Sequence, residues 1–209
     1  MSHTPPHLTI LTQQHILPVV QVHIESFPGF FLSFLGPRFL ELFYRSFLED
    51  STGIGFVAID ENGCILGCVV GPLAPEGYFK RLLKRRWWKF CLASVSAILR
   101  RPWIASRLLR ALWYRGDASE SGNAPRALLS SIAVAPGAQG HGVGRELVKA
   151  WLFEVQRRGV KGAFLTTDAE GNEAVNAFYR RLGWELDSSY TTAQGRRMNR
   201  YIYDFREQP

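Results

Sequence analysis

The chain has 209 residues, 46% of them hydrophobic, and carries 25 lysines and arginines against 18 aspartates and glutamates, a formal charge of +7 at neutral pH. That much apolar material builds one ordinary packed core and excludes a disordered or low-complexity protein. The longest largely apolar run, residues 90–99, is too short to cross a bilayer, and the three cysteines (Cys64, Cys68, Cys91) match neither a disulfide framework nor a zinc spacing.

In chain order, a loose tail at 2–7 precedes an apolar strand pattern at Leu8–Leu11. Helical periodicity follows at 13–26 and 37–50, separated by Phe27-Pro28-Gly29-Phe30-Phe31-Leu32. Residues 54–60 and 64–70 alternate around Glu61-Asn62-Gly63, which predicts a hairpin with Cys64 and Cys68 on its second strand. A buried-strand pattern runs from Ala127 to Ala135 and is closed by Pro136-Gly137. The turn Gln139-Gly140-His141-Gly142-Val143-Gly144 opens a helix whose stripe is Val143, Leu147, Val148, Trp151 and Val155, with Gly159 as its stop. A strand at 162–167 completes a strand-turn-helix-strand crossover unit. A short helix starts at Asn172 as N-cap, ends at Gly183, and is expected to bury Val175, Phe178 and Leu182, with Asn172, Asn176 and Tyr179 on the adjoining face. Residues 184–192 and 198–205 read as a closing hairpin.

Residues 78–115 stand apart. Eleven of the 25 basic residues lie there with no acidic one, leaving 14 basic against 18 acidic elsewhere, so the whole positive excess is local. Phe79, Leu82, Leu83, Trp87, Phe90 and Cys91 form an apolar stripe, and Pro102 separates it from a second pattern with Ile104, Leu108 and Leu112. Three readings stay open: a helical flap with its charged face in water, a wall that attracts an anionic substrate, and a helix on an anionic membrane surface. Nucleic acid is a weaker fourth, because no recognition module accompanies the charge.

The chemistry concentrates in the glycine turn. Glycines at 140, 142 and 144 leave backbone N–H groups bare at a helix start, a place that binds phosphates. A dinucleotide fingerprint would need glycine at 145, where Arg145 stands, and a phosphate loop would need Gly-Lys-Ser/Thr.

Together, Gln139-x-x-Gly142-x-Gly144 and the segment Asn172 to Trp184 resemble the GNAT superfamily of acetyl-coenzyme A dependent acetyltransferases. The departures are Val175 where alanine is usual and Gly183-Trp184 in place of Gly-Phe; the matching block covers roughly 127–205. The resemblance implies an α/β (α+β) fold with a mixed, mostly antiparallel central sheet flanked by helices. It implies a single domain, 1–209, with the basic helical insert between the third and fourth strands. Acetyl-coenzyme A is the implied co-substrate, with no metal. Its pyrophosphate would sit on Gln139, Gly140, His141, Gly142, Val143, Gly144 and Arg145, its pantetheine arm on Ile132, Ala133 and Val134, with Asn172 and Phe178 also in contact. Tyr179 would protonate the departing thiolate and Asn172 would hold the coenzyme or acetyl end.

Many members of the superfamily carry a basic carboxylate on the strand before the glycine turn, where Ser130 and Ser131 stand here. The base candidates are therefore Glu25, His23 and Asp168, and the acceptor-side residues His23, Glu25, Phe27, Asp168 and Arg197. The first-helix region and the closing strand also look like acetyltransferases of bacterial surface-polysaccharide functions. The expected reaction is direct attack of a primary amine on the thioester, with an amino sugar or its nucleotide derivative as acceptor. The alternatives are a protein N-terminal or lysine acetyltransferase, and a coenzyme-binding module without turnover. Cysteine usage, and the lack of a basic-then-apolar leader, give the expectation of a cytoplasmic chain, with membrane association through 78–115 and pairing of two chains left open.

Overall fold

The computed structural model describes residues 6–78, 81, 82, 84, 88, 90, 92, 93, 125–192 and 195–205. Strand β1 (His7–Ile10) leads through a single 3-10 turn into helix α1 (Ile16–Ser26), then the short α2 (Phe31–Phe34) and α3 (Pro37–Glu49). The α2 turn begins in the stretch read from sequence only as a separator, Phe27 to Leu32, and runs two residues past it. Strands β2 (Gly53–Ile59) and β3 (Ile65–Pro72) form the expected hairpin. Its turn is held by Asp60, whose Oδ1 accepts the amides of Asn62 and Cys64 at 2.9 and 2.7 Å. Cys64 falls just before β3 and is exposed, whereas Cys68 lies within it and is buried.

After the insert come β4 (Ala127–Leu128), β5 (Ser131–Val134), α4 (Val143–Arg157), β6 (Gly162–Asp168), α5 (Glu173–Arg181), β7 (Glu185–Thr191) and β8 (Arg197–Asp204). Among the described residues the strands make two four-stranded sheets, β1-β2-β3-β5 and β4-β6-β8-β7, antiparallel throughout except for β4 beside β6.

The continuous strand expected at 127–135 is thus broken, and the break shapes the molecule. Ala127 and Leu128 pair with Ala163 and Phe164 of β6, and the Leu129 amide still donates to Phe164 at 3.0 Å. The next amide, Ser130, donates instead to Val70 of β3 at 2.9 Å, and β5 follows β3 from there. The chain therefore changes partner between Leu129 and Ser130, and β5 and β6 part on either side of a gap. Gly71 permits the crossing: a Cβ there would stand 1.9 Å from the Leu128 carbonyl oxygen.

Two buried clusters cover the sheets. One joins α1 and α3 to β2, β3 and β5 through Ile16, Val19, Leu40, Tyr44, Val57 and Cys68. The other sets Leu147, Val148, Trp151 and Val155 of α4 against Val69, Ala163, Leu165, Trp184 and Tyr201, so the stripe read from sequence is the buried one. Gly159 ends α4 with φ +79°.

Of the basic insert, only its start is described. Residues 75–78 are helical, and the buried Tyr78 stacks on Phe47 at 5.2 Å and hydrogen-bonds Ser46 at 2.6 Å. Arg81 makes a paired contact with Asp50 at 3.0 and 3.1 Å, and Phe90 sets its ring against Phe39 at 5.0 Å. This part packs on α3. Of the predicted stripe, Phe79, Leu83, Trp87 and Cys91 lie outside the described residues, as does the pattern around Ile104, Leu108 and Leu112. Among the described residues no helix is long and apolar enough to cross a membrane.

Candidate active site

The glycine turn is built as its composition requires. Pro136–Ala138 form a 3-10 turn, and Gln139 Nε2 folds back on the Val134 carbonyl at 3.0 Å. Gly140 and Gly142 adopt φ +78° and +84°, the left-handed region that glycine enters without side-chain cost. Gly142 is the N-cap of α4 and supplies no side-chain cap; the first helical bond runs from the Glu146 amide to its carbonyl at 3.1 Å. The amides of Val143, Gly144 and Arg145 consequently lack intrahelical acceptors and lie at the positive end of a 15-residue helix. The nearby Glu146 carboxylate is matched by Arg145 at 3.0 Å and Lys149 at 3.3 Å. Gly144 lies beneath Phe178, whose ring would be 3.5 Å from an added Cβ. The turn thus offers backbone donors to an anion, while the Gln139 side chain braces the loop.

Beside it runs the edge of β5. The Ala135 amide donates to Leu66 of β3 at 2.9 Å, and antiparallel alternation then turns Ala133 toward β3 and Ile132 and Val134 toward the gap. The expectation that Ala133 shares in main-chain pairing with the pantetheine arm is therefore corrected, because its backbone already serves the ladder. The Val134 carbonyl is taken by Ser26 Oγ at 2.8 Å as well as by Gln139. Ser130 Oγ, at the kink, is buried with no hydrogen-bond partner among the described residues.

Tyr179 lies on α5. It is buried, with ring neighbours Phe178 at 5.2 Å, Trp184 at 5.9 Å and Tyr201 at 6.3 Å. Burial raises its pKa well above the ordinary phenol value, so it stays protonated at neutral pH. The face of α5 differs from expectation: Asn176 and Tyr179 are buried, and Val175 is exposed. The reason is a polar network. Asn176 Nδ2 donates to the carbonyls of Asp168 (2.9 Å) and Asn172 (2.8 Å), while its Oδ1 accepts Asn199 Nδ2 (3.0 Å) and Tyr201 Oη (2.9 Å). Fully satisfied, the amide can be buried at little cost. Asn172 is the N-cap by position, yet its side chain donates to Thr167 Oγ1 at 2.6 Å rather than capping the helix.

The acceptor-side candidates fall into two groups. His23 is buried, its Nδ1 2.7 Å from Tyr44 Oη, and Phe27 packs on its ring at 4.9 Å. Desolvation lowers the His23 pKa to about 4. Glu25 is exposed and accepts Gln21 at 2.6 Å. At the other sheet, Asp168 is gripped by Arg196 through contacts of 3.1, 2.7 and 2.7 Å, which compromises it as a free base. Arg197 is exposed and lies 3.9 Å from Glu170. Sequence reading passed over Tyr44, Arg196 and the anchoring role of Asn176; only the four-residue step from Asn172 to Asn176 signalled the last. Among the described residues no group of three or more His, Cys, Asp or Glu is placed to hold a metal.

Known proteins share this architecture. Over 94 residues the chain is 32% identical to mycothiol acetyltransferase of Arthrobacter sp. (strain FB24), a match covering 44% of this chain and only 29% of that protein. A histone acetyltransferase HPA2 and related acetyltransferase from Corynebacterium glutamicum ATCC 13032 superposes with a TM-score of 0.63 at 18% identity, covering 98% of this chain and 99% of that one. A chain of the NatC complex bound to Gag peptide and CoA gives 0.58 at 14% identity, covering 97% and 100%. Likenesses this distant in sequence speak for the fold. The sequence model of the Acetyltransferase (GNAT) family matches residues 19–184, and with the glycine turn and the parted strands in place the chain belongs to that family.

Proposed function

We propose that this acetyltransferase binds acetyl-coenzyme A along β5 and moves its acetyl group to the primary amine of a small acceptor. The observation that carries the proposal is the juxtaposition of two features: the uncapped start of α4 after Gly142, and the β5 edge where the Ile132 backbone and the Val134 amide face the gap. The first fits a pyrophosphate, and the second fits an extended amide-bearing arm that adds to the strand. Acetyl-coenzyme A supplies the activated thioester. Within the site, Gly140, His141, Gly142, Val143, Gly144 and Arg145 hold the phosphates, and Phe178 closes over the turn. Tyr179 keeps its proton at neutral pH and donates it to the departing sulfur. Asn172 orders the junction between β6 and α5, the helix that carries Tyr179. Holding both reactants in register supplies several kcal/mol of the barrier lowering.

The relatives named mycothiol acetyltransferase support a small-molecule acceptor. Among amino sugars, a nucleotide-linked one, which carries negative phosphates, suits a chain whose residues 78–115 hold eleven basic side chains and no acidic one. Calorimetry with coenzyme A and acetyl-coenzyme A tests the cradle. Thiol release with glucosamine, a nucleotide-linked amino sugar, an alanine-led peptide and a lysine peptide tests the acceptor. Heat on coenzyme binding together with fastest release for a sugar amine is the expected result; release confined to the peptides would transfer the assignment to a protein acceptor.

A further inference from the structure

A buried imidazole, a buried phenol and a half-buried hydroxyl tie α1, α3 and β5 together; of the three only His23 is among the base candidates named above. His23 Nδ1 lies 2.7 Å from Tyr44 Oη, and Tyr44 Oη lies 3.4 Å from Ser131 Oγ; the Cys68 thiol donates to the same phenol oxygen at 3.7 Å. Packing alone would be met by Phe at 44, whereas this Tyr is fully buried with its hydroxyl turned to a histidine. Ser131 is the first residue of β5 and Val134, next to the glycine turn, is the last. An arm laid along β5 with its phosphates at the turn therefore carries its acyl end toward Ser131, about 10 Å away at roughly 3.3 Å per residue. The chain of hydroxyls thus begins where the reacting nitrogen must lose a proton, and ends at an imidazole.

We propose that Ser131 Oγ, Tyr44 Oη and His23 form a relay that removes the proton released by the acceptor nitrogen as acyl transfer proceeds. The inference rests on the coenzyme placement proposed above. As the N–C bond forms, the electron pair of one N–H bond stays on nitrogen and its proton passes to Ser131 Oγ. Ser131 gives its own proton to Tyr44 Oη, Tyr44 gives its own to His23 Nδ1, and the imidazole, already protonated at Nε2, releases that proton to water. The C–S pair leaves on sulfur, which takes the Tyr179 proton. One proton enters the relay and one leaves, and no oxidant or reductant is needed. Resting protonation suits this: burial keeps the phenol of Tyr44 protonated and the imidazole of His23 neutral. The titratable groups facing the chain are Tyr44 from α3 and Cys68 from β3, the latter pushed up to about 12 by burial. Among the described residues, no carboxylate, lysine or arginine hydrogen-bonds any of its members.

The test uses Tyr44→Phe, Ser131→Ala and the double variant, with the fastest amine of the panel above. Each single variant is expected to lower kcat tenfold or more with coenzyme KM and calorimetric Kd unchanged, general acid-base contributions being about a hundredfold or more. Because the two groups act in series, the double variant is expected to be no slower than the worse single one. Nitrogen NMR of the His23 ring, which needs no substrate, is expected to show the Nδ1 resonance moved by Tyr44→Phe. Wild-type kcat in both single variants, multiplicative losses in the double, or an unmoved Nδ1 resonance would overturn the relay. Absence of coenzyme heat in the unaltered protein would instead remove the coenzyme placement on which the relay depends. Ser131→Ala keeps the test alive should Tyr44→Phe fail to fold.

Discussion

Tyr201 Oη donates to Asn176 Oδ1 at 2.9 Å, and this bond closes the network that fastens α5, the helix of Tyr179, onto β6 and β8. Asn176→Ala would strip an acceptor from the buried Tyr201 hydroxyl and donors from the carbonyls of Asp168 and Asn172. Unsatisfied buried groups cost about 1–3 kcal/mol each when relaxation is limited. A loss of about 3 kcal/mol is expected, read as a fall in Tm of roughly 10 °C for a domain of this size. A Tm within two degrees or so of the unaltered protein would show the network to be dispensable.

Gly142 and Gly144 separate two uses of glycine. Gly142 needs its left-handed φ of +84°, so Gly142→Ala is expected to cost about 1–2 kcal/mol of stability. At Gly144 an added Cβ meets Phe178 and Val134 at 3.5 Å, an ordinary contact, so Gly144→Ala is expected to leave Tm nearly unchanged. If the α4 amides cradle phosphates, the same methyl obstructs the ligand, and coenzyme Kd is expected to rise about tenfold. Unaltered affinity in Gly144→Ala would place the pyrophosphate elsewhere.

For Tyr179 the expected signature is chemical. Tyr179→Phe keeps the ring contacts with Trp184 and Tyr201 and removes the proton, so kcat is expected to fall about a hundredfold while coenzyme Kd holds. Burial shifts the phenol upward, so deprotonation of this group is expected to begin only above its ordinary range near 10. An alkaline limb below pH 9 that disappears in Tyr179→Phe would contradict that.

His23 makes the protein sensitive to acid. Its folded pKa of about 4 lies below the ordinary 6.5, so the unfolded chain takes up the proton first as pH falls. The stability contributed by the neutral imidazole is complete above pH 6.5 and is lost progressively toward pH 4, on the order of 3 kcal/mol in all, and about 2 kcal/mol by pH 5. Urea midpoints at pH 7 and pH 5 measure this, and His23→Gln is expected to flatten the difference. An equal slope in that variant would assign the acid loss to other groups.

Gly71 governs the kink. With 1.9 Å between its virtual Cβ and the Leu128 oxygen, Gly71→Ala must push β4 off β3. A loss exceeding about 3 kcal/mol is expected, in the range of severe backbone clashes. Urea unfolding checks it; a shift below about 1 kcal/mol would mean that the crossing is compliant.

Much of this molecule was legible along the chain because the signals are local. The periodicity of Val143, Leu147, Trp151 and Val155, the stop at Gly159, the hairpin turn at Asn62-Gly63 and the bounds of the helix from Asn172 to Gly183 each rest on a few neighbouring residues. The glycine turn belongs with them, since its left-handed positions need glycine wherever they occur. The apolar run 127–135 could not disclose its own break. Residues on both sides of Leu129 look alike, and the change of partner is imposed by a glycine in β3 more than fifty positions away. The same holds for Asn176, buried in place of Val175 because Tyr201 and Asn199 come to it from β8, and for Asp168, held by an arginine 28 residues on. Sequence by itself determined the turn that can seize an anion and the helices around it. Tertiary structure alone decided which polar groups face one another, because a hydrogen bond between distant segments exists only once packing has brought donor and acceptor within 3 Å or so.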